Sequence, residues 1–197
     1  THFYFGEDLP VSAMAAGADI AAVSMHKSGG SLTQSSLLLT NKNVRWEYVA
    51  QIINLTQTTS ASYLLMSSLD ISRRNLALRG KESFGKVMKM AEYARNEINE
   101  IGGYYAYGRE LNNGSSVFDY DVTKLSIYTR DIGLAGIEVY DLLRDEYDIQ
   151  IEFGDIGNIL AYISIGDRIQ DIERLVGALA DIKRLYSKDN AKMLSME

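Results

Sequence analysis

The sequence predicts a mixed α/β protein whose first hundred residues and last hundred residues follow different patterns. In the first part, short apolar runs typical of strands alternate with segments whose apolar residues recur at helical spacing. In the second part, the order strand, helix, strand, strand, helix predicts a small α+β unit. Glycines and polar residues at 102–116 mark the boundary, so we predict domains at 1–102 and 103–197.

Two strands and three helices are predicted before this boundary. The strands are short apolar runs, and the second ends at a turn-like Asn-Lys-Asn sequence. The last helix stops at Gly102-Gly103, a common helix-ending signal. The predicted elements are strands at 18–24 and 36–40 and helices at 44–55, 62–79 and 81–101.

The second part begins with a strand at 124–128, where polar and apolar residues alternate as in a half-buried strand. The last helix has a continuous apolar face from Ile169 to Leu179. The other predicted elements are a helix at 135–147, strands at 149–153 and 159–165, and the final helix at 168–185.

Composition limits the class of partner and the compartment. The net charge of −6 argues against nucleic acid or an anionic membrane as the main partner. The chain has no cysteine and only two histidines, which excludes thiolate metal sites and disfavours a multi-histidine site. No apolar run reaches the roughly 18 residues of a membrane span. We therefore expect a cytoplasmic protein without a metal.

The most informative segment surrounds Lys27, between the two predicted strands of the first part. Lysines between sheet elements lie where α/β proteins bind ligands. Hydroxyl side chains are dense here, and Gly29-Gly30 allows the backbone to approach a ligand closely. Hydroxyl donors suit a phosphate, and His26 adds a charge-assisted donor.

The same pattern also suits a polar surface loop with a solvated lysine, because loops rich in serine and glycine are common. A phosphate-binding loop of the nucleoside triphosphatase type is excluded, since the Gly-x-x-x-x-Gly-Lys-Ser/Thr order is absent.

The Ser24-x-His26-Lys27 sequence, followed by Leu-Thr-Gln-Ser-Ser at 32–36, resembles the cofactor-lysine motif of the bacterial ornithine/lysine/arginine decarboxylases. Other segments of the chain resemble the same family in the same order. They are 5–10 (Phe-Gly-Glu-Asp-Leu-Pro), 17–19 (Gly-Ala-Asp), 57–63 (Gln-Thr-Thr-Ser-Ala-Ser-Tyr), 68–70 (Ser-Leu-Asp), Arg73-Arg74 and the small-domain segment 133–158.

Two positions depart from the family pattern. The family often has Thr-Leu-Pro after the lysine, where this chain has Ser28-Gly29-Gly30, and often has proline where Ala61 stands. Both differences leave the lysine in place and look like subfamily variation.

The resemblance implies part of a fold-type-I, aspartate-aminotransferase-like large domain followed by a small α+β domain. It implies pyridoxal 5'-phosphate as the cofactor, with Lys27 as the Schiff-base lysine and Ser24 and His26 as phosphate ligands. Lys27 and His26 are the expected catalytic residues. A residue among Thr58, Thr59 and Ser60 is expected to reach the phosphate of a neighbouring subunit, in a homodimer or higher homo-oligomer.

The resemblance also implies that Glu152 contacts the distal cation of a basic amino-acid substrate: arginine, lysine or ornithine, with arginine slightly favoured. A carboxylate is suitable chemistry for an amine or guanidinium. An exposed glutamate at a strand end remains the alternative. Three further acidic residues are interpreted as loop and capping residues: Asp119, Asp121 and Asp155.

The chain starts at Thr1 on an apolar stretch, without the upstream Asp-x-Ala-His segment that supplies the ring-nitrogen aspartate in the family. The expectation is a fragment that lacks the N-terminal half of the enzyme and is inactive alone. Two alternatives stay open. One is another fold-type-I enzyme such as an aminotransferase, with Arg130 or Arg168 binding the substrate carboxylate. The other is a non-catalytic fragment that mediates assembly.

Overall fold

The computed structural model describes residues 5, 6 and 8–188. Thr1 and Glu7, on which parts of the sequence interpretation depend, lie outside the described residues. The chain divides into two compact units, Thr1–Gly85 and Lys86–Glu197. The division into domains at 1–102 and 103–197 stays a prediction.

The first unit contains an antiparallel hairpin with a short helical turn between its strands. Strand β1 ends at Ser24 and pairs with the start of β2 at Ser36, so the intervening loop is closed at its base. The elements in chain order are β1 (Ile20–Ser24), α1 (Met25–Ser28), β2 (Ser36–Thr40), α2 (Trp46–Thr56) and α3 (Tyr63–Ile101), whose N-terminal part lies in this unit.

Helix α3 is one continuous helix of 39 residues, so the prediction of two helices separated near residue 80 was wrong. Gly80 lies inside the helix because the Phe5 ring occupies the space that a side chain would need. Phe5 also stacks on Phe84 at a centroid distance of 6.0 Å. Close packing, rather than a helix break, explains this glycine.

The second unit has a four-stranded antiparallel sheet in the order β3-β4-β6-β5. Strand β4 covers the residues that alternation predicted, with Leu125 and Ile127 buried between exposed or half-buried neighbours. The elements are β3 (Tyr105–Ala106), β4 (Lys124–Tyr128), α4 (Gly136–Asp145), β5 (Phe153–Gly154), β6 (Asn158–Tyr162) and α5 (Ile169–Tyr186).

Helices α4 and α5 provide apolar faces to the core of the second unit, and α4 packs against β5 and β6. The buried Tyr104 hydroxyl donates to the Leu179 carbonyl at 3.0 Å, and burial raises the pKa of Tyr104 above its ordinary value. Lys183 donates to the Ile101 carbonyl at the C-terminal end of α3, where carbonyl groups lack helical partners.

The strand predicted at 149–153 was placed too early, because only Phe153–Gly154 forms β5. Helix α4 ends at Asp145, and Asp148 adopts a left-handed conformation that redirects the chain. Pairing with the sheet starts where the Glu152 N–H donates to the Leu160 carbonyl at 2.9 Å. The apolar pattern at 149–151 reflects burial of Ile151 rather than strand pairing.

The first unit leaves much apolar surface exposed. No residue of β1, β2 or α2 is fully buried. Leu55 and Tyr63, at the end of α2 and the start of α3, are 81% and 82% exposed. Among the described helices, none is long and apolar enough to cross a lipid bilayer.

Candidate active site

Lys27 lies on α1, the single helical turn directly after β1. The Gly29 N–H donates to the Met25 carbonyl at 2.7 Å and closes this turn. The Met25 side chain is only 2% exposed and anchors the turn, whereas the Lys27 side chain is exposed. The buried Met25 side chain therefore fixes the turn, and the Lys27 amine on the same turn is accessible to solvent.

Glycine is required directly after this turn. A Cβ atom on Gly29 would lie 2.7 Å from the Met25 Cε atom and 2.9 Å from the Met25 carbonyl oxygen. Gly30 has a φ of 84°, which glycine adopts without strain. The Gly29-Gly30 pair is thus a structural requirement of this loop.

His26 is held by the other side of the loop. Its Nδ1 atom lies 2.9 Å from the Ser35 carbonyl oxygen. A carbonyl can only accept, so Nδ1 carries the hydrogen in this contact and Nε2 remains for a ligand. In this tautomer Nε2 is the ring's acceptor, and Nε2 becomes a second donor in the imidazolium form.

Ser35 connects this histidine to the loop backbone. The Ser35 side chain is buried, its hydroxyl donates to the Leu32 carbonyl at 2.5 Å, and it also contacts the Ser31 hydroxyl at 2.5 Å. Two of the hydroxyls that the sequence suggested as phosphate donors are therefore occupied by the loop's own structure.

Helix α3 supplies two contacts that the sequence analysis missed. The buried Ser72 hydroxyl donates to the Gly29 carbonyl, and the Leu32 N–H donates to the Ser68 hydroxyl at 3.2 Å. Serines spaced four residues apart lie on one helix face, which was the available signal. The spacing alone does not show that this face contacts the segment between β1 and β2, residues 25–35, which we call the Lys27 loop.

Thr58, Thr59 and Ser60 lie in the exposed loop between α2 and α3. The Ser60 N–H donates to the Thr58 hydroxyl at 3.1 Å, a bond within the loop itself. Ser24 ends β1 and directly precedes α1, which carries His26 and Lys27. Among the described residues, no hydrogen bond connects Thr58, Thr59 or Ser60 to α1. Their role toward a neighbouring subunit stays a prediction.

Glu152 is exposed in the second unit, immediately before β5. The nearby Asp155 side chain instead accepts from the backbone of Gly157 at 2.7 Å and of Asn158 at 2.6 Å, and these bonds lower its pKa. Asp119 and Asp121 also bind backbone N–H groups within their loops. Glu152 thus has an exposed carboxylate, whereas the three aspartates organise local turns.

The two arginines considered for an aminotransferase have different surroundings. Arg168 pairs with Asp171 through bonds of 3.2 Å at the start of α5, where this aspartate also accepts from the Arg168 backbone at 3.0 Å. Arg130 is half-buried in a short 3₁₀ turn, Arg130–Ile132. The Arg168 guanidinium is therefore already occupied by a local ion pair.

A family model described as Orn/Lys/Arg decarboxylase, major domain, matches residues 1–120. The chain belongs to this family. Among curated proteins it is similar to the arginine decarboxylase of Halalkalibacterium halodurans, with 44% identity over 94% of this chain. It is also similar to that of Bacillus subtilis, with 42% identity over 96% of this chain. The chain spans 38% and 39% of the length of these two relatives.

Solved structures share the fold at low sequence identity. The lysine decarboxylase of Francisella novicida matches 94% of this chain and 31% of its own, with a TM-score of 0.81 and 18% identity. An aromatic aminotransferase from Pyrococcus horikoshii matches 93% of this chain and 48% of its own, with a TM-score of 0.58 and 14% identity. The mixed α/β fold therefore occurs in both enzyme classes, and fold alone does not separate them.

Proposed function

We propose that this chain carries the cofactor lysine of a pyridoxal-phosphate-dependent decarboxylase of basic amino acids, with arginine as the favoured substrate. The observation that carries the proposal is the position of Lys27: an exposed amine on a turn that buried contacts hold in place. Among the described residues, no carboxylate pairs with this amine. Family membership and the similarity to arginine decarboxylases support the same activity.

The side chains around Lys27 fit pyridoxal phosphate, which has an aldehyde and a phosphate. Ser24 precedes α1, is exposed and makes no capping bond to any described residue, so its hydroxyl is available to the phosphate. His26 offers Nε2, because Nδ1 is bound to the Ser35 carbonyl. A lysine amine, a hydroxyl and an imidazole on one turn match the donors that this cofactor needs.

When bound, pyridoxal phosphate supplies the electron sink for loss of CO₂ from the substrate. In this proposal the Lys27 amine would hold the cofactor at its aldehyde group. Ser24 and His26 would hold the phosphate and so orient the ring. One of Thr58, Thr59 and Ser60 reaches the phosphate of a neighbouring subunit.

Glu152 is proposed to bind the distal cation of the substrate. Its carboxylate is exposed, and the neighbouring Ile151 side chain is buried, which fixes the backbone from which the carboxylate projects. A guanidinium or ammonium ion requires such a counter-charge, and a carboxylate can accept two parallel hydrogen bonds from a guanidinium.

The proposal includes the architecture and setting of the complete enzyme. The chain forms part of a fold-type-I large domain followed by a small α+β domain, and the remainder of the same enzyme completes the site. The enzyme acts in the cytoplasm as a homodimer or a higher homo-oligomer. The span of 38% of a relative's length is consistent with this arrangement.

Product analysis of the full-length protein tests the proposed reaction. Incubation with arginine and pyridoxal phosphate is expected to yield CO₂ and the corresponding amine. With a keto acid added as amino acceptor, formation of the keto acid of arginine in place of the amine would instead identify an aminotransferase. The exposed ion pair of Arg168 with Asp171 is weak enough to open for a substrate carboxylate, so the product itself distinguishes the two classes.

A further inference from the structure

The Lys27 loop is attached to helix α3 at two backbone positions. The Ser72 hydroxyl donates to the Gly29 carbonyl, and the Ser68 hydroxyl accepts from the Leu32 N–H at 3.2 Å. The two serines are four residues apart, so they lie on one face of the helix. Between the two attached positions the chain turns through Gly30, whose φ is 84°.

The Ser72 contact differs from the usual behaviour of serine inside a helix. Such a hydroxyl commonly bonds to a carbonyl of its own preceding turn or points to solvent. Ser68 does the former, since its hydroxyl also donates to the Leu65 carbonyl at 2.8 Å. Ser72 is 2% exposed and donates instead to a carbonyl 43 residues earlier in the chain.

The turn that carries Lys27 needs such external contacts. A helix of one turn has too few internal hydrogen bonds to be stable by itself. Its start is fixed by the buried Met25 side chain and its middle by the bond from His26 to Ser35. Its C-terminal side is fixed at Gly29. Among the described hydrogen bonds to Gly29, the bond from Ser72 is the one that comes from outside the loop.

We propose that Ser72 is a positioning residue for Lys27, acting through the Gly29 carbonyl. This inference rests on the proposed function, because it assumes that the Lys27 amine must meet a cofactor aldehyde. With the Ser72 bond in place, the turn keeps one orientation and the amine stays where the aldehyde is held. Without the bond, the buried Gly29 carbonyl loses its partner and the turn shifts toward water to regain one.

Ser68 has a weaker role in the same attachment. It is only partly buried, so water can replace its hydroxyl as the acceptor for the Leu32 N–H. The structure therefore predicts an order of effects on Lys27: largest for loss of the Ser72 hydroxyl, smaller for Ser68, and none for Ser67, which is exposed on the same helix.

The test compares variants of the full-length protein by the rate at which pyridoxal phosphate becomes attached to Lys27. Attachment is trapped with borohydride at set times and located by peptide mapping, a readout independent of turnover. Ser72→Ala is expected to slow attachment roughly 5- to 150-fold, since an unsatisfied buried carbonyl costs about 1–3 kcal/mol and about 1.4 kcal/mol corresponds to tenfold. Ser72→Thr, which keeps the hydroxyl, is expected to restore most of the rate.

Two control variants separate positioning from general loss of stability. Ser67→Ala should attach cofactor as wild type does. Leu76→Ala removes a buried side chain of α3 and should lower the thermal midpoint more than Ser72→Ala, yet slow attachment less. An attachment rate of Ser72→Ala equal to that of Ser67→Ala, or no slower than that of Leu76→Ala, overturns the inference and leaves the proposed function standing. Wild-type protein that carries no cofactor on Lys27 overturns both.

Discussion

At the scale of single residues, the site combines an exposed reactive group with buried supports. The Lys27 side chain is exposed, while Met25 before it and Gly29 after it are buried. His26 is fixed through one ring nitrogen and free at the other. The local sequence thus exposes the Lys27 amine, and hydrogen bonds from Ser68 and Ser72 on α3 hold the loop that carries it.

Glu152 gives the first prediction. Changing it to glutamine removes the negative charge proposed to bind the distal cation of the substrate. A lost hydrogen bond to a charged group costs about 1.5–3 kcal/mol, which is roughly 10- to 150-fold in binding. In the full-length enzyme, Glu152→Gln should lower kcat/KM for arginine by this factor and leave the dissociation constant of pyridoxal phosphate unchanged.

Glu146→Gln is the matched control, because Glu146 is also an exposed glutamate of the second unit. Its kinetics should equal those of the wild type. Equal kcat/KM values for Glu152→Gln and Glu146→Gln would show that Glu152 is a surface residue and that the distal cation is bound elsewhere.

At the scale of secondary structure, an apolar run predicted strand β2 and alternation predicted strand β4. Strands β2 and β4 have the predicted bounds. Helix α3 was divided in the prediction because Gly80 resembles a break, whereas its role is to admit the Phe5 ring. Strand β5 was misplaced because a buried residue, Ile151, follows the same pattern as a paired one.

The same reasoning explains which parts of the site could be predicted. The sequence placed Lys27 between two strands, and the β1–β2 hairpin confirms this location. It did not reveal Ser68 and Ser72, because hydrogen bonds over 36 and 43 residues leave no mark on local composition. It also could not show that the Ser31 and Ser35 hydroxyls bind each other.

Helix α4 gives a prediction at this scale. Ala135 has no side-chain acceptor, so the Glu138 carboxylate caps the helix by accepting the Ala135 N–H at 2.8 Å. A bond from Lys188 at 2.6 Å, followed by this backbone bond, lowers the pKa of Glu138. Because the folded pKa lies below the unfolded one, the stabilisation is present above the unfolded pKa and is lost as the pH falls through the folded pKa.

Glu138→Gln should therefore lower the thermal midpoint at pH 7 and have progressively less effect below about pH 4.3, the usual range of a free glutamate. Both side chains are partly exposed, so solvent screening limits the effect to about 0.5–1 kcal/mol, or roughly 1–4 °C. Thermal unfolding from pH 3 to pH 7 measures it, with Glu173→Gln as an exposed control. A midpoint difference that is constant over this range would contradict the assignment.

At the scale of the whole molecule, the two units bury apolar surface unequally. The second unit has a sheet with helices packed on it, whereas the first leaves the side chains of α2 and of the start of α3 largely exposed. Exposed apolar patches of this kind indicate an interaction surface. We therefore expect the isolated chain to be incomplete in function and prone to association.

The isolated chain of residues 1–197 should self-associate. Sedimentation velocity is expected to show larger species as the protein concentration rises. Leu55→Glu, which places a charge on the exposed surface of the first unit, should reduce this association. Ile156→Glu changes an exposed apolar residue of the second unit and serves as the control. A chain that stays monomeric over the concentration range would contradict the prediction.

The isolated chain should also release no measurable CO₂ from labelled arginine, lysine or ornithine in the presence of pyridoxal phosphate. The exposed Lys27 amine is open to water, and decarboxylation requires a site that excludes water and fixes the substrate. Labelled CO₂ above the background of a Lys27→Ala chain would refute this expectation.

The central claim is that Lys27 is the residue to which the cofactor attaches, and one measurement tests it most directly. The full-length protein is incubated with pyridoxal phosphate, reduced with borohydride and digested, and the modified peptide is identified by mass spectrometry. The account predicts the cofactor mass on the Lys27 peptide and its loss in Lys27→Arg. Modification of another lysine, with Lys27 unmodified, would contradict the account.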